Sequence, residues 1–170
     1  MKRLTLVRHG HAKFKGAELK DFERPLSRRG KAESKATAAA LYAQALIPEL
    51  LLASPATRTL QTAEIFVREL HLAERQLRPQ ESLYLASADQ LLQAIQGVGS
   101  RIGHLMIIGH NPSVSELANY LAPQVKLGEF ATSAACTMDF EVPEWPLIVA
   151  GPATNVQQVG PAPRFFGLSK

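Results

Sequence analysis

Two arginines and two histidines stand directly after short apolar runs of the sequence, in positions that could support chemistry. Arg8 and His9 end the first run, Arg58 follows the second within five residues, and His110 follows a later one. Guanidinium groups are planar, permanently charged donors that match phosphate oxygens. A neutral imidazole can attack phosphorus and form a covalent intermediate, and a second imidazole can stabilise charge on the phosphoryl oxygens in the transition state. Cationic groups repel a metal ion, so this set predicts a phosphate site without metal.

The apolar runs themselves predict the strands that would bring these four residues together. Short apolar runs bounded by turn-forming residues are typical of buried strands, and the segments between them have helical spacing. The predicted strands cover residues 4–7, 50–53, 76–78 (at an edge), 104–108 and 132–142, and the predicted helices cover 28–46, 56–70, 87–95 and 112–121. This alternating order predicts an α/β fold, a three-layer α/β/α sandwich around a mostly parallel sheet. Because open α/β sheets place their sites beyond the carboxyl ends of their strands, Arg8, His9, Arg58 and His110 are expected to converge at that edge.

Local signals predict where two of the helices begin. Ser27 is a candidate N-cap for the first helix, and Asn111 is one for the last, with Pro112 at its first helical position. Residues 13–24 show no clear period and predict a loop. The Pro- and Gly-rich segment beyond Trp145 permits no assignment.

Length and composition predict a single domain over residues 1–170 of an ordinary globular protein. The chain is 46% hydrophobic and 20% charged. No apolar run approaches the roughly 18 residues of a transmembrane helix, so no membrane association is expected. The only cysteine, Cys136, excludes an internal disulfide and fits a cytoplasmic location. We expect a monomer.

The formal net charge is +4, and basic residues cluster within the first 35 positions. The simplest interpretation of this cluster is a solvated basic surface. The alternative is a surface that attracts an acidic substrate or partner. Aromatic residues make up only 6% of the chain and do not alternate with the basic ones, so no nucleic-acid partner is expected.

Three stretches, in the order of the chain, resemble the motifs of a known family. LVRHGHA at residues 6–12 is similar to the RHG signature of the histidine phosphatase superfamily, SPATRTLQTA at 54–63 to its second motif, and IGHN at 108–111 to its third. RPLS at residues 24–27, with a glycine three positions later, resembles the RPLT…G element of the SixA-type phosphohistidine phosphatases. The resemblance ends near residue 121 and implies a phosphoglycerate-mutase-like fold.

The resemblance also implies a role for each of the two arginines and two histidines that follow the apolar runs. His9 would be the nucleophile that forms a covalent phospho-His9, and Arg8, Arg58 and His110 would hold the phosphoryl group. Arg24 would be an outer phosphate contact. His9 must attack as a neutral imidazole whose other nitrogen donates to a backbone carbonyl, and two nearby arginines would favour that neutral form. Neither a metal nor a cofactor is implied.

The general acid and the substrate are harder to place. Larger members of the superfamily take an acid from the segment between the second and third motifs, where Glu81 is the candidate here; the alternative is a solvated carboxylate. Roughly 50 residues separate Arg58 from His110, too few for an inserted lid of the kind that sequesters small substrates. An open site favours a phosphohistidine that is presented by a phosphorylated protein, for example a histidine-phosphotransfer domain. The imidazole that leaves from a phosphohistidine can be protonated before cleavage, so this substrate needs less help from an acid.

Two alternatives use the same residues. One is a phosphomonoesterase or mutase acting on a small phosphorylated metabolite. The other is a non-catalytic phosphate-recognition module, which would need the arginines but not a nucleophile. A metal site at His9-x-His11, as in the metal-dependent amidohydrolases, is disfavoured because their barrel needs about 250 residues.

Overall fold

A six-stranded sheet forms the centre of the computed structural model, which describes residues 1–14, 16, 18–149 and 153–161. The strands are β1 (Lys2–Arg8), β2 (Leu50–Ala53), β3 (Leu77–Pro79), β4 (His104–Gly109), β5 (Ala135–Phe140) and β6 (Thr154–Val159). Their order in the sheet is β3-β2-β4-β1-β5-β6. The first four strands of that order run parallel, whereas β5 is antiparallel to β1 and β6 to β5. The prediction of a mostly parallel sheet is confirmed.

Two helices cover each face of this sheet. The helices are α1 (Arg28–Ala43), α2 (Thr57–Glu69), α3 (Ala88–Gln96) and α4 (Ser113–Leu121). Within β2, Leu51 and Ala53 pack on the side of α1 and α2, whereas Leu50 and Leu52 pack on the side of α3 and α4. Successive side chains of a strand point to opposite faces, so a strand covered on both faces, such as β2, is apolar on both. This arrangement confirms the three-layer α/β/α sandwich.

Of the two predicted N-caps, one is confirmed by the structure and the other is wrong. The Ser27 side chain accepts a hydrogen bond from the Gly30 N–H and caps α1 as predicted. The prediction of Asn111 as the N-cap of α4 is wrong, because Pro112 occupies the cap position and the helix begins at Ser113. Asn111 instead accepts from the backbone N–H and the hydroxyl of Ser115, at 3.3 and 2.8 Å.

The segment after the fourth helix completes the sheet. β5 lies within the predicted strand 132–142, but β6 was not predicted. Between them, Trp145 is fully buried, and its indole N–H donates to the Ile102 carbonyl at 2.8 Å. Residues 150–152 and 162–170 of the predicted domain 1–170 lie outside the described residues.

No lid covers the carboxyl edge of the sheet in the part of the chain that the structure describes. The segment between α2 and β4 is used for β3, α3 and two short 3₁₀ helices, Glu74–Gln76 and Glu81–Leu83. Across the same described residues, no helix combines the length and apolarity needed to cross a bilayer.

Candidate active site

The structure brings His9, Arg58 and His110 together beyond the carboxyl ends of the parallel strands. His9 follows β1, His110 follows β4, and Arg58 stands in the first turn of α2. The Arg58 Nε donates to His9 Nε2 at 3.3 Å, and its Nη2 lies 3.2 Å from His110 Nδ1. The two imidazole rings meet edge to face with their centroids 5.2 Å apart. A guanidinium therefore lies between two imidazoles.

The ring of His9 is held in one protonation state. Its Nδ1 lies 2.8 Å from the Gly10 carbonyl oxygen, which can only accept, so Nδ1 carries the proton and Nε2 has a free electron pair. Burial in the cleft, together with the nearby His110, Arg58 and Arg8, lowers the pKa of His9 to about 3. Burial is the largest of these causes, ahead of the arginines that the sequence pointed to. His9 is a neutral imidazole at any physiological pH.

His110 is neutral for the same reasons. Burial, and secondarily the charge of Arg58, lowers its pKa to about 4. Its Nε2 lies 2.7 Å from the hydroxyl of the fully buried Ser54, which follows β2. Because that hydroxyl can donate or accept, it satisfies His110 in either tautomer. Because a guanidinium can only donate, Nδ1 of His110 accepts from Arg58 Nη2, and the proton of the ring is on Nε2. Once a ligand displaces Arg58, the tautomer with the proton on Nδ1 allows His110 to donate to a ligand oxygen.

Arg8 contributes a buried N–H to the site. Its Nη1 donates to the Phe130 carbonyl at 2.7 Å, which fixes the guanidinium. Its Nε is buried and has no hydrogen-bond partner among the described residues. Buried donors are almost always paired, so this group is a candidate for binding a ligand oxygen. Asn111, displaced from the predicted cap, supports the same loop by donating to the Phe130 carbonyl at 3.2 Å.

Arg8, His9 and Arg58 open onto a cleft of about 320 Å³, whereas His110 lies behind them and is not among its lining residues. The cleft is lined by Arg8, His9, His11, Ala12, Phe14, Arg24, Arg58 and Thr132. Three of these eight described residues are arginines and none of the eight is acidic, so an anion is the expected occupant. Arg24, for which the resemblance implies an outer phosphate contact, is one of the residues that line this cleft. Its Nε is fixed by the Lys13 carbonyl at 3.0 Å.

Asp21 belongs to the site and was missed by the sequence analysis. Its backbone carbonyl and its Oδ2 accept from Nη1 and Nη2 of Arg58 at 2.8 and 3.2 Å. The Tyr84 hydroxyl donates to the same Oδ2 at 2.8 Å, and Arg24 donates to Oδ1 at 3.2 Å. The hydrogen bond from Tyr84, followed by the charge of Arg58, lowers the pKa of Asp21 to about 2 although burial opposes the shift. Asp21 lies in the segment predicted to be a loop, and nothing in the sequence pairs it with Arg58.

Glu81 does not join this cluster. Its side chain is exposed on the 3₁₀ helix Glu81–Leu83, and it does not line the cleft. Tyr84, three residues later, reaches the site instead. Its ring lies edge to face with that of His110, with centroids 5.5 Å apart.

Close backbone packing fixes the turn that carries His9. The Gly10 N–H donates to Thr62 Oγ1 at 2.9 Å, which ties the turn to α2 one helical turn beyond Arg58. A Cβ atom at Gly10 would lie 2.6 Å from Ser34 Oγ, and one at Gly30 would overlap the backbone of His11. The two glycines therefore allow α1 to pack directly on the turn that carries His9.

Comparison with known proteins assigns the family. The model of the histidine phosphatase superfamily (branch 1) matches residues 4–83. An uncharacterised protein of Mycobacterium tuberculosis is 31% identical over 117 residues, which make up 68% of this chain and 70% of that protein. The structure of the protein histidine phosphatase SixA complexed with tungstate is 25% identical, with a TM-score of 0.76, and the match covers 93% of this chain and 96% of that one. The chain belongs to the histidine phosphatase superfamily.

A third relative within these comparisons is longer than the chain. An uncharacterised chloroplast protein of Arabidopsis thaliana is 32% identical over 129 residues, and the match covers 71% of this chain but only 59% of that protein.

The superfamily model ends before His110, whereas the structural match to SixA extends through most of the region after it. The family resemblance seen in the three motifs is therefore confirmed, as is the expected fold.

Proposed function

We propose that this chain is a metal-independent phosphatase that removes the phosphoryl group from phosphohistidine on a protein through a covalent phospho-His9. The observation that carries the proposal is the state of His9. Its Nε2 has a free electron pair, its Nδ1 is fixed by Gly10, and its pKa of about 3 keeps it unprotonated. A phosphate-recognition module would need no such nucleophile.

The proposed reaction runs in two steps. In the first, Arg8, Arg58 and His110 hold the phosphoryl oxygens while His9 Nε2 attacks phosphorus. The bond between phosphorus and the substrate nitrogen breaks, its electron pair returns to that nitrogen, and the substrate leaves as neutral imidazole if its other nitrogen carries a proton. In the second step, water attacks phospho-His9 and releases phosphate, and the electron pair returns to His9 Nε2.

Arg58 must change partners as the substrate enters. In the present structure its Nε donates to the nucleophilic nitrogen of His9. A phosphoryl group that approaches His9 replaces this contact and takes the guanidinium as its own donor, which places positive charge where the transition state spreads negative charge. Arg24, at the rim of the cleft, is proposed as an outer contact to the same group.

The states of Asp21 and Glu81 favour phosphohistidine over an ester. An ester oxygen leaves well only if a general acid protonates it. Asp21, the carboxyl group in contact with Arg58, has its pKa lowered to about 2 and is ionised. Glu81 lies outside the cluster, and the proposal assigns it no step. An imidazole that leaves in neutral form needs no acid from the enzyme.

An open cleft with an exposed aromatic side chain at its mouth supports a protein substrate. Phe14 lines the cleft and is 95% exposed. Exposed aromatic residues are enriched where proteins contact one another. We therefore propose a phosphorylated protein as the partner, with a histidine-phosphotransfer domain as the example.

The test is a comparison of substrates in the presence of EDTA. Hydrolysis of a histidine-phosphorylated protein is measured beside that of p-nitrophenyl phosphate and an alkyl phosphate. The proposal predicts a higher kcat/KM for phosphohistidine and full activity in EDTA. A preference for the esters would assign the chain to small metabolites instead, and phosphate binding without turnover of any substrate would indicate a recognition module.

A further inference from the structure

A basic groove lies between the outer faces of α1 and α2. It has a volume of about 510 Å³. Arg28, Lys31 and Lys35 of α1 line it together with Glu64 and Arg68 of α2, and all five side chains are exposed. Four cations thus face one anion. Arg68 pairs with Glu69 at 3.5 Å, whereas Arg28, Lys31 and Lys35 form no salt bridge with any described residue.

This groove, which we call the α1–α2 groove, begins at the edge of the catalytic cleft. Arg28 follows Ser27, whose hydroxyl lies 2.7 Å from Nδ1 of the cleft residue His11. Gln61, also in the groove, accepts from the Leu26 N–H at 2.7 Å. Leu26 in turn forms a backbone bridge to Ala12, another cleft residue. A molecule that enters the cleft can therefore extend along the groove.

We infer that the α1–α2 groove is the docking surface for an acidic helix of the phosphorylated partner protein. The inference rests on the proposed function and adds the chemistry of the partner. Lys31 and Lys35 are one helical turn apart, so carboxylates with the same spacing on a partner helix can pair with both. From Arg28 to Lys35 the groove extends roughly 10 Å along α1, about two turns of such a helix.

The composition of the groove favours protein over nucleic acid. Bases bind where aromatic side chains offer a surface for stacking, and none of the described residues that line the groove is aromatic. Its floor includes Ala32 and the buried Ile65. A small apolar floor between rows of basic side chains matches an amphipathic helix with an acidic face.

Docking of this kind acts on encounter and binding and not on the chemical step. Charge complementarity raises association rates, and the effect decreases as salt increases. The groove should therefore lower KM for acidic protein substrates at low salt. It should not change kcat, and it should not affect a small substrate that occupies only the cleft.

The test uses two synthetic helical peptides, each with a single phosphohistidine. One carries glutamates at i and i+4 positions along one face, and the other carries glutamines at the same positions. At low salt the wild type should dephosphorylate the glutamate peptide with a kcat/KM about tenfold higher, and the preference should vanish at high salt. The double variant Lys31→Glu/Lys35→Glu should lose the preference while hydrolysing p-nitrophenyl phosphate at the parental rate.

A matched control changes the same charge elsewhere. Arg75→Glu/Arg101→Glu reverses two exposed cations outside the groove and should keep the preference. Equal kcat/KM values for the two peptides in the wild type, or an equal loss in both double variants, would overturn the inference. Fluorescence anisotropy of the unphosphorylated peptides measures docking without turnover. Selective binding of the glutamate peptide without hydrolysis of either one would thus contradict the proposed function and not the docking surface.

Discussion

At the scale of single residues, the contacts of Arg58 assign a role to Asp21. Arg58 donates to the Asp21 carbonyl and carboxylate, and Tyr84 and Arg24 hold that carboxylate in turn. In the proposed mechanism, Asp21 is therefore a positioning residue, which acts on the phosphoryl group through Arg58. The carboxylate is partly exposed, so its hydrogen bonds to cations are expected near the lower end of their usual range of roughly 1.5–3 kcal/mol.

We predict that Asp21→Asn lowers kcat/KM about tenfold for phosphohistidine and for esters alike, because roughly 1.4 kcal/mol corresponds to a factor of ten. Steady-state kinetics on both substrates measures the loss, and the affinity for the product phosphate should fall with it. Glu23→Gln, on the same 3₁₀ helix Asp21–Glu23, is the control and should leave the kinetics unchanged. Parental kinetics in Asp21→Asn would show that Arg58 is fixed without this carboxylate.

At the scale of elements, the parts with strong periodicity were predictable. The buried strands are mostly apolar because both of their faces are covered, and a polar residue stands at or directly after the end of β1, β2 and β4. For β1, β2 and β4 this pattern located the strand ends and hence the convergence of His9, Arg58 and His110. Ser27 was recognisable as a cap because its side chain needs only the local N–H of Gly30.

The elements that were missed depend on contacts distant in sequence. β6 has mostly exposed side chains and forms because β5 offers an edge for pairing. The 3₁₀ helix Asp21–Glu23 is held by Arg58 and Tyr84, which lie 37 and 63 residues away from Asp21. Asn111 resembles a cap in isolation, but its carboxamide contacts Ser115 and the Phe130 carbonyl instead. Such contacts leave no periodic signal in the sequence.

At the scale of the whole molecule, three neutral histidines, the half-buried His9 and the buried His104 and His110, couple stability to pH. Burial is the main cause that lowers the pKa of His9 to about 3 and those of His104 and His110 to about 4. In the unfolded chain each would have a pKa of roughly 6.5. Below pH 6.5 the unfolded state therefore binds more protons than the folded state, so acidification favours unfolding.

We predict that the free energy of unfolding falls steadily from about pH 6.5 to about pH 4. Urea denaturation at a series of pH values measures this decrease. Asp21 and Asp139 also have lowered pKa values. Their protonation reduces the free energy of unfolding mainly below pH 4, outside the range of the histidines. A free energy of unfolding that stayed constant or rose between pH 6.5 and 4.5 would show that these histidines are not buried in the neutral form.

The central claim is that His9 carries the phosphoryl group, and rapid-quench mass spectrometry tests it most directly. The wild type is mixed with a histidine-phosphorylated protein in EDTA, quenched under alkaline conditions and digested. We predict a phosphoryl group on the peptide that contains His9, formed and lost at rates that account for turnover. It should be absent from a folded His9→Ala variant that has lost activity. Turnover by His9→Ala at the parental rate, or a phosphoryl group on another residue, would contradict the account.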